Sequence, residues 1–183
     1  IEEPKFTESI LDRKEHVEPD VVLDVPEVPR WCGRLNLKYH RIDVGDGNCS
    51  LYVEEEGNGI PLVLINGGPG GTHHYFHPWF SRAAKWARVI YYDQRGTGLS
   101  DYEPGKKGYT VEQAVQDLDK LRKALNIDKW VVLGYSYGGF LAQYYALHFP
   151  EHTAGMVLLN ASPGMAVGRD DSRIHEFLTD RER

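Results

Sequence analysis

Ser136 stands in the run Gly134-Tyr135-Ser136-Tyr137-Gly138, with Gly139 just beyond it. A serine hydroxyl becomes a useful nucleophile when a base takes its proton and hydrogen-bond donors meet the charge its attack creates. Gly-x-Ser-x-Gly suits that task when it joins a strand to a helix. The turn is then so tight that side chains two residues either side of the serine would collide with it, so glycine is needed at 134 and 138. Glycine supplies 19 of the 183 residues, so the pentapeptide alone decides little. An incidental serine in a tight turn and a phosphate-binding loop are the competing accounts; neither GxGxxG nor the Walker pattern with its lysine is present. We expect Ser136 to be the nucleophile.

Two further loops carry chemistry-bearing residues. Asn66-Gly67-Gly68-Pro69-Gly70-Gly71 is glycine-rich, which lets backbone approach a substrate closely. An acyl-transfer site needs two N–H donors aimed at the tetrahedral oxyanion. Tyr137, directly after the nucleophile, is expected to supply one and Gly68 the other, with Asn66, Gly67, Pro69 and Gly70 as the pocket loop. Asp93-Gln94-Arg95-Gly96-Thr97-Gly98-Leu99-Ser100-Asp101 is the second. Its Asp93 and Arg95 are expected to brace the loop rather than act in catalysis. His73, His74 and His77 follow the glycine loop, but no HExxH-type spacing accompanies them; cap or pocket-lining roles are expected, with no metal and no cofactor.

Each loop needs an element to aim it. Pro61 to Ile65 and Val89 to Tyr92 are short apolar runs, as strands covered on both faces should be, and each leads into one of the loops. Trp130 to Leu133 leads into the serine turn, and Gly155 to Leu159 is a fourth such run. Leu35 to Val44 and Ser50 to Glu55, around Gly45-Asp46-Gly47-Asn48, read as an antiparallel hairpin. Thr110 to Leu125 has helical periodicity, and Thr110 with Gln113 suggests a capping box. Tyr137 to Phe149 is a second helix, stopped before Pro150, and a third is expected within Pro78 to Trp86. Strands alternating with helices imply a mostly parallel sheet with right-handed crossovers.

Bulk properties exclude several classes. A formal charge of −6 without any basic run disfavours nucleic acid. No apolar stretch is long enough to span a bilayer. Residues 1–33, rich in Glu, Asp, Pro and Val, read as an N-terminal arm in which Ser9 to Val17 could form a short helix. Cys32 and Cys49 are too few for a disulfide framework; two free buried thiols or one bridge remain open. The start at Ile1 leaves a removed signal peptide and a trimmed chain equally open, so neither a cytoplasmic nor an exported location is fixed.

With these motifs in order, the sequence resembles the α/β-hydrolase superfamily, and within it the proline iminopeptidase-like serine peptidases. Asn66 to Gly71, Asp93 to Asp101 and Gly134 to Gly139 carry the resemblance. It implies a mostly parallel sheet with an antiparallel N-terminal hairpin, over residues 34–163. It implies hydrolysis of an N-terminal residue from short peptides without a metal, with Ser136 as nucleophile and Gly68 and Tyr137 as oxyanion donors. The family usually has His where this chain has Asn66, and its proline-specific members often have Trp where this chain has Tyr137. Carboxylesterases and amidases share parts of the pattern, and a non-catalytic binding protein on the same scaffold is the alternative of another class. Dehalogenases and most epoxide hydrolases place Asp at the position of Ser136.

In this fold an acid and then a histidine follow the serine, each after a later strand. The histidines beyond Ser136 are His148, His152 and His175. The first two belong to a helix end, and His175 to the charged stretch within 164–183, which reads as the start of a cap. The sheet is therefore expected to be incomplete at its C-terminal end. Acid and base are expected from a missing C-terminal segment or a second chain, acting on a small peptide or ester substrate.

Overall fold

A computed structural model describes residues 37–45, 48–102 and 108–161. The expected arm, its short helix, Cys32, the tip of the hairpin turn, the cap region and His175 lie outside them.

Six strands form one sheet: β1 (Lys38–Asp43), β2 (Ser50–Glu56), β3 (Ile60–Ile65), β4 (Ala87–Tyr92), β5 (Trp130–Tyr135) and β6 (Thr153–Leu159). Their spatial order is β1-β2-β4-β3-β5-β6. β1 pairs with β2, and β2 with β4, antiparallel; β4-β3-β5-β6 are parallel. This is the α/β-hydrolase architecture expected of the sequence. The chain steps from β3 out to β4 on one side and then crosses to β5 on the other. That reversal opens a crevice at the carboxyl ends of the central strands, where ligands bind in open α/β sheets.

Two helices cover one face, α1 (Val111–Ala124) and α2 (Tyr137–His148). Their apolar sides pack on Val53, Val63, Ile65, Ile90 and Val132. The opposite face is covered by short 3-10 segments, His73–Phe76 and Trp79–Lys85, over Leu62, Leu64, Val89 and Tyr91. The helix expected within Pro78 to Trp86 is thus a 3-10 run. The spacing His77-Pro78 removes a backbone donor at its start, and the tighter winding lets Phe76 and Phe80 meet edge to face at 5.1 Å. The Thr110 cap forms, accepting from the Gln113 N–H at 3.1 Å. The reciprocal half of the capping box does not, because the Gln113 side chain donates to Asp117 at 2.8 Å instead.

β6 has one strand neighbour among the described residues, β5. Its Met156, Val157, Leu158 and Leu159 are all exposed.

Candidate active site

β5 runs into α2 through Ser136, whose backbone sits at φ 54°, ψ −119°. That conformation costs an L-residue energy and persists only where the surroundings enforce it. Here glycines allow the enforcement. A Cβ on Gly134 would lie 2.2 Å from the Gly138 carbonyl oxygen, and one on Gly138 would lie 2.0 Å from that of Ile65. The Ser136 N–H donates to the Leu159 carbonyl at 2.9 Å, tying the turn to the end of β6. Ser136 is left exposed at the top of the sheet. Tyr137 follows as the first residue of α2, where a backbone N–H has no partner within the helix and the helix dipole favours negative charge.

The glycine loop lies directly against this turn. A Cβ on Gly67 would sit 3.1 Å from Ser136 Cβ. The Gly67 carbonyl accepts from the Gly71 N–H at 3.2 Å. Across the trans peptide, the Gly68 N–H must therefore point away from that turn. Asn66 is fully buried, and its backbone carbonyl accepts from the Gln94 side chain at 2.9 Å. Pro69 and Gly70, by contrast, line an open cleft of about 290 Å³ with Gln94, Thr97, Tyr109 and Tyr137. Of the four residues expected to form the pocket loop, then, two face the cleft, while Asn66 and Gly67 are packed beneath it.

The second loop braces as expected, through partners the sequence did not reveal. Asp93 is fully buried. Its Oδ1 accepts from the His73 N–H and faces His73 Nδ1, both at 2.8 Å, and its Oδ2 accepts from the Leu99 N–H at 2.8 Å. Arg95 grips Asp117 of α1 with two nitrogens at 2.8 Å each.

His73 and His77 are not cap or pocket-lining residues. They turn inward to Glu54 of β2, His73 Nε2 lying 3.3 Å from Oε1 and His77 Nε2 2.8 Å from Oε2. Tyr52 adds a hydrogen bond to Glu54 at 2.8 Å. His74 stays exposed beside Thr72. Burial alone would raise the Glu54 carboxyl, but hydrogen bonds from His73, His77 and Tyr52 hold it well below the usual carboxylate range. Asp93 is likewise held low against burial, by His73 and by the Leu99 N–H. Burial opposes the charge on His73, but its bonds to Asp93 and Glu54 prevail and raise it to about 9. Glu54, His73 and His77 bring one donor atom each within 4.8 Å of one another. Each of those atoms is already turned to a hydrogen-bond partner, so the cluster closes on itself as an ion network.

Sequence reasoning missed Glu54 and Gln94. The available signal was a run of three glutamates, Glu54 to Glu56, at the end of a strand, with three histidines beyond the next strand and the glycine loop. All three glutamates are buried. Cys49 is buried, and its Sγ donates to the Asp101 carbonyl at 3.9 Å. His148 ends α2, about 18 Å along the helix from Ser136. It bonds its own helix at the Tyr144 carbonyl, and His152 bonds the Asp128 carbonyl. Neither reaches Ser136, in keeping with their expected helix-end roles.

No helix among the described residues is long and apolar enough to cross a membrane. Residues 60–180 match the family model described as the alpha/beta hydrolase fold. The chain is 38% identical over 133 residues to a proline iminopeptidase of Saccharolobus solfataricus, covering 68% of this chain and 43% of that protein. Among solved structures it is similar to a proline iminopeptidase-related protein of Thermus thermophilus. The TM-score is 0.64 at 30% identity, covering 69% of this chain and 45% of that one. An epoxide hydrolase matches with TM-score 0.67 at 25% identity, over 80% of this chain and 50% of that one. The chain thus spans about half, or less, of the length of the proteins it matches.

Proposed function

This chain belongs to the α/β hydrolase family, and from that premise we propose that it is the nucleophile-bearing part of a serine aminopeptidase of the proline iminopeptidase type. The observation that carries the proposal is the backbone of Ser136, held at φ 54°, ψ −119° at a strand-to-helix turn against the glycine loop.

Ser136 Oγ attacks the carbonyl carbon of the substrate's N-terminal residue and gives up its proton to a histidine base. The oxyanion is met by the N–H groups of Tyr137 and Gly68. The peptide bond then breaks, the leaving amine takes the proton, and water hydrolyses the acyl-enzyme. The cleft of about 290 Å³ beside Tyr137 is at the small end for ligand sites, which suits one compact terminal residue. Acid and base come from further polypeptide, a C-terminal segment or a second chain. The exposed apolar edge of β6 is where additional strands of the sheet would join.

The test uses the whole protein that contains this chain. A fluorophosphonate should label Ser136, and Ser136→Ala should abolish labelling. Proline β-naphthylamide should be hydrolysed. Turnover of acyl esters with none of the naphthylamide would instead assign a carboxylesterase, and well-folded protein that never labels would assign a binding protein.

A further inference from the structure

We propose that His73 is a positioning residue, a fixed imidazolium clamped between Asp93 and Glu54 that holds the glycine loop in place over Ser136. The role rests on the hydrolase function proposed above.

The loop has little rigidity of its own. Four of its six residues, from 66 to 71, are glycine, and the one backbone bond within it joins Gly71 to Gly67. Its placement is therefore inherited from its two ends. At the near end, Gln94 holds the Asn66 carbonyl. At the far end stands His73, the second residue after Gly71. Its N–H and its Nδ1 both meet Asp93 Oδ1 at 2.8 Å, and its Nε2 faces Glu54 Oε1 at 3.3 Å. Asp93 also holds the following loop through Leu99, so this one carboxylate fixes both loops flanking the site.

Two ring nitrogens opposite two carboxylates require a hydrogen on each nitrogen. A neutral imidazole would set a lone pair against an acceptor oxygen, in a site too buried for water to relieve it. Of the other groups around the ring, the carboxylates favour its charge and the neighbouring His74 opposes it. From β2 come Glu54 and Tyr52, whose ring is centred 5.3 Å away. From its own segment come His74 at 4.1 Å and His77 at 5.9 Å, and from the end of β4 comes Asp93. The carboxylates on both sides are held ionised, and the ring keeps its proton up to about pH 9. Loss of that proton leaves two buried carboxylates facing each other across a neutral ring and removes one donor. The far anchor is then reduced to the backbone N–H and one ring donor, and a donor misplaced by about 1 Å can cost on the order of a hundredfold in rate.

Side-chain proton–nitrogen correlation spectra at about pH 8 should show both nitrogens of His73 protonated. A neutral pattern, or one equivalent of bound metal in the purified protein, would overturn the proposal; neither readout depends on Ser136 reacting. Fluorophosphonate labelling should then fall about 10- to 100-fold as pH rises through about 9. His73→Asn keeps a donor towards Asp93 without the charge. It should label at least about tenfold more slowly near neutrality and lose that alkaline decline. Labelling of His73→Asn at the wild-type rate, or with the wild-type alkaline limb, would sink the positioning role. If His73→Asn does not fold, the wild-type limb decides, and flat labelling from about pH 7 to 10 refutes it. Wild-type protein that never labels condemns the hydrolase function itself.

Discussion

Replacing Ser136 by glycine should make the protein more stable while leaving it inert. Ser136 combines φ 54° with ψ −119°, outside the regions open to residues with a Cβ. Holding such a residue costs about 1–3 kcal/mol. Glycine relieves that strain but gives back about 0.5–1 kcal/mol through the greater freedom of the unfolded chain. The reference is Ser136→Ala, which removes the same exposed hydroxyl and keeps the Cβ and the strain. Ser136→Gly should therefore exceed Ser136→Ala by up to about 2.5 kcal/mol. For a chain of this size that is a gain in Tm of up to about 10 °C. Differential scanning calorimetry of the two variants measures it, and a fluorophosphonate should label neither. If Ser136→Gly melts below Ser136→Ala, the turn is not strained, and the case for an enforced nucleophile geometry collapses.

Gly138→Ala places a Cβ 2.0 Å from the Ile65 oxygen, so α2 must shift against β3. A loss of about 1–3 kcal/mol in thermal melts is expected, with at least tenfold slower labelling; unchanged values would contradict the packing described. Stability should also depend on pH in a defined way. The Glu54 and Asp93 carboxyls are lowered in the folded state, so their contribution is present above their unfolded values of 4.5 and 3.8 and fades as the pH falls. The His73 contribution is complete below 6.5 and is lost as the pH rises through about 9. Tm should therefore peak between about pH 4.5 and 6.5, with an alkaline fall that shrinks in His73→Asn. Arg95→Ala leaves Asp117, which is only 2% exposed, with the Gln113 side chain as donor but no cation, and should cost about 1–3 kcal/mol in denaturant melts. Arg95→Lys should recover only part, because a single ammonium cannot reproduce the two-nitrogen grip.

The strands and helices around the site were legible because their signals are local. An apolar run as short as Pro61 to Ile65 fits a doubly covered strand better than a helix, and Thr110 announces α1 by its cap. The nucleophile turn was legible because glycine at 134 and 138 answers a steric demand the structure reproduces. What escaped was whatever depends on partners far apart in the chain. Glu54 and His73 are 19 residues apart and meet only when β2 pairs with β4. In sequence, Glu54 and Glu55 read only as the end of a hairpin strand, and the three histidines as cap or pocket-lining residues. The 3-10 form of Trp79–Lys85 escaped as well, since nothing in its residue pattern separates a short α-helix from a 3-10 run.

The three glutamates of β2 also bear on how the sheet finds its pairing. Successive strand residues face opposite sides, and here each side is answered differently. Glu54 meets His73 and His77, and Glu56 meets the Tyr91 hydroxyl, on one side; Glu55 meets His40 and Arg88 on the other. A slip of one residue would exchange the sides, facing two carboxylates towards His40 and Arg88 and leaving one for the two histidines. An apolar strand tolerates such a slip far better than one whose misplaced charges would lie buried without partners. β2 thus acts as a charged key. It favours a single register where the antiparallel hairpin joins the parallel sheet.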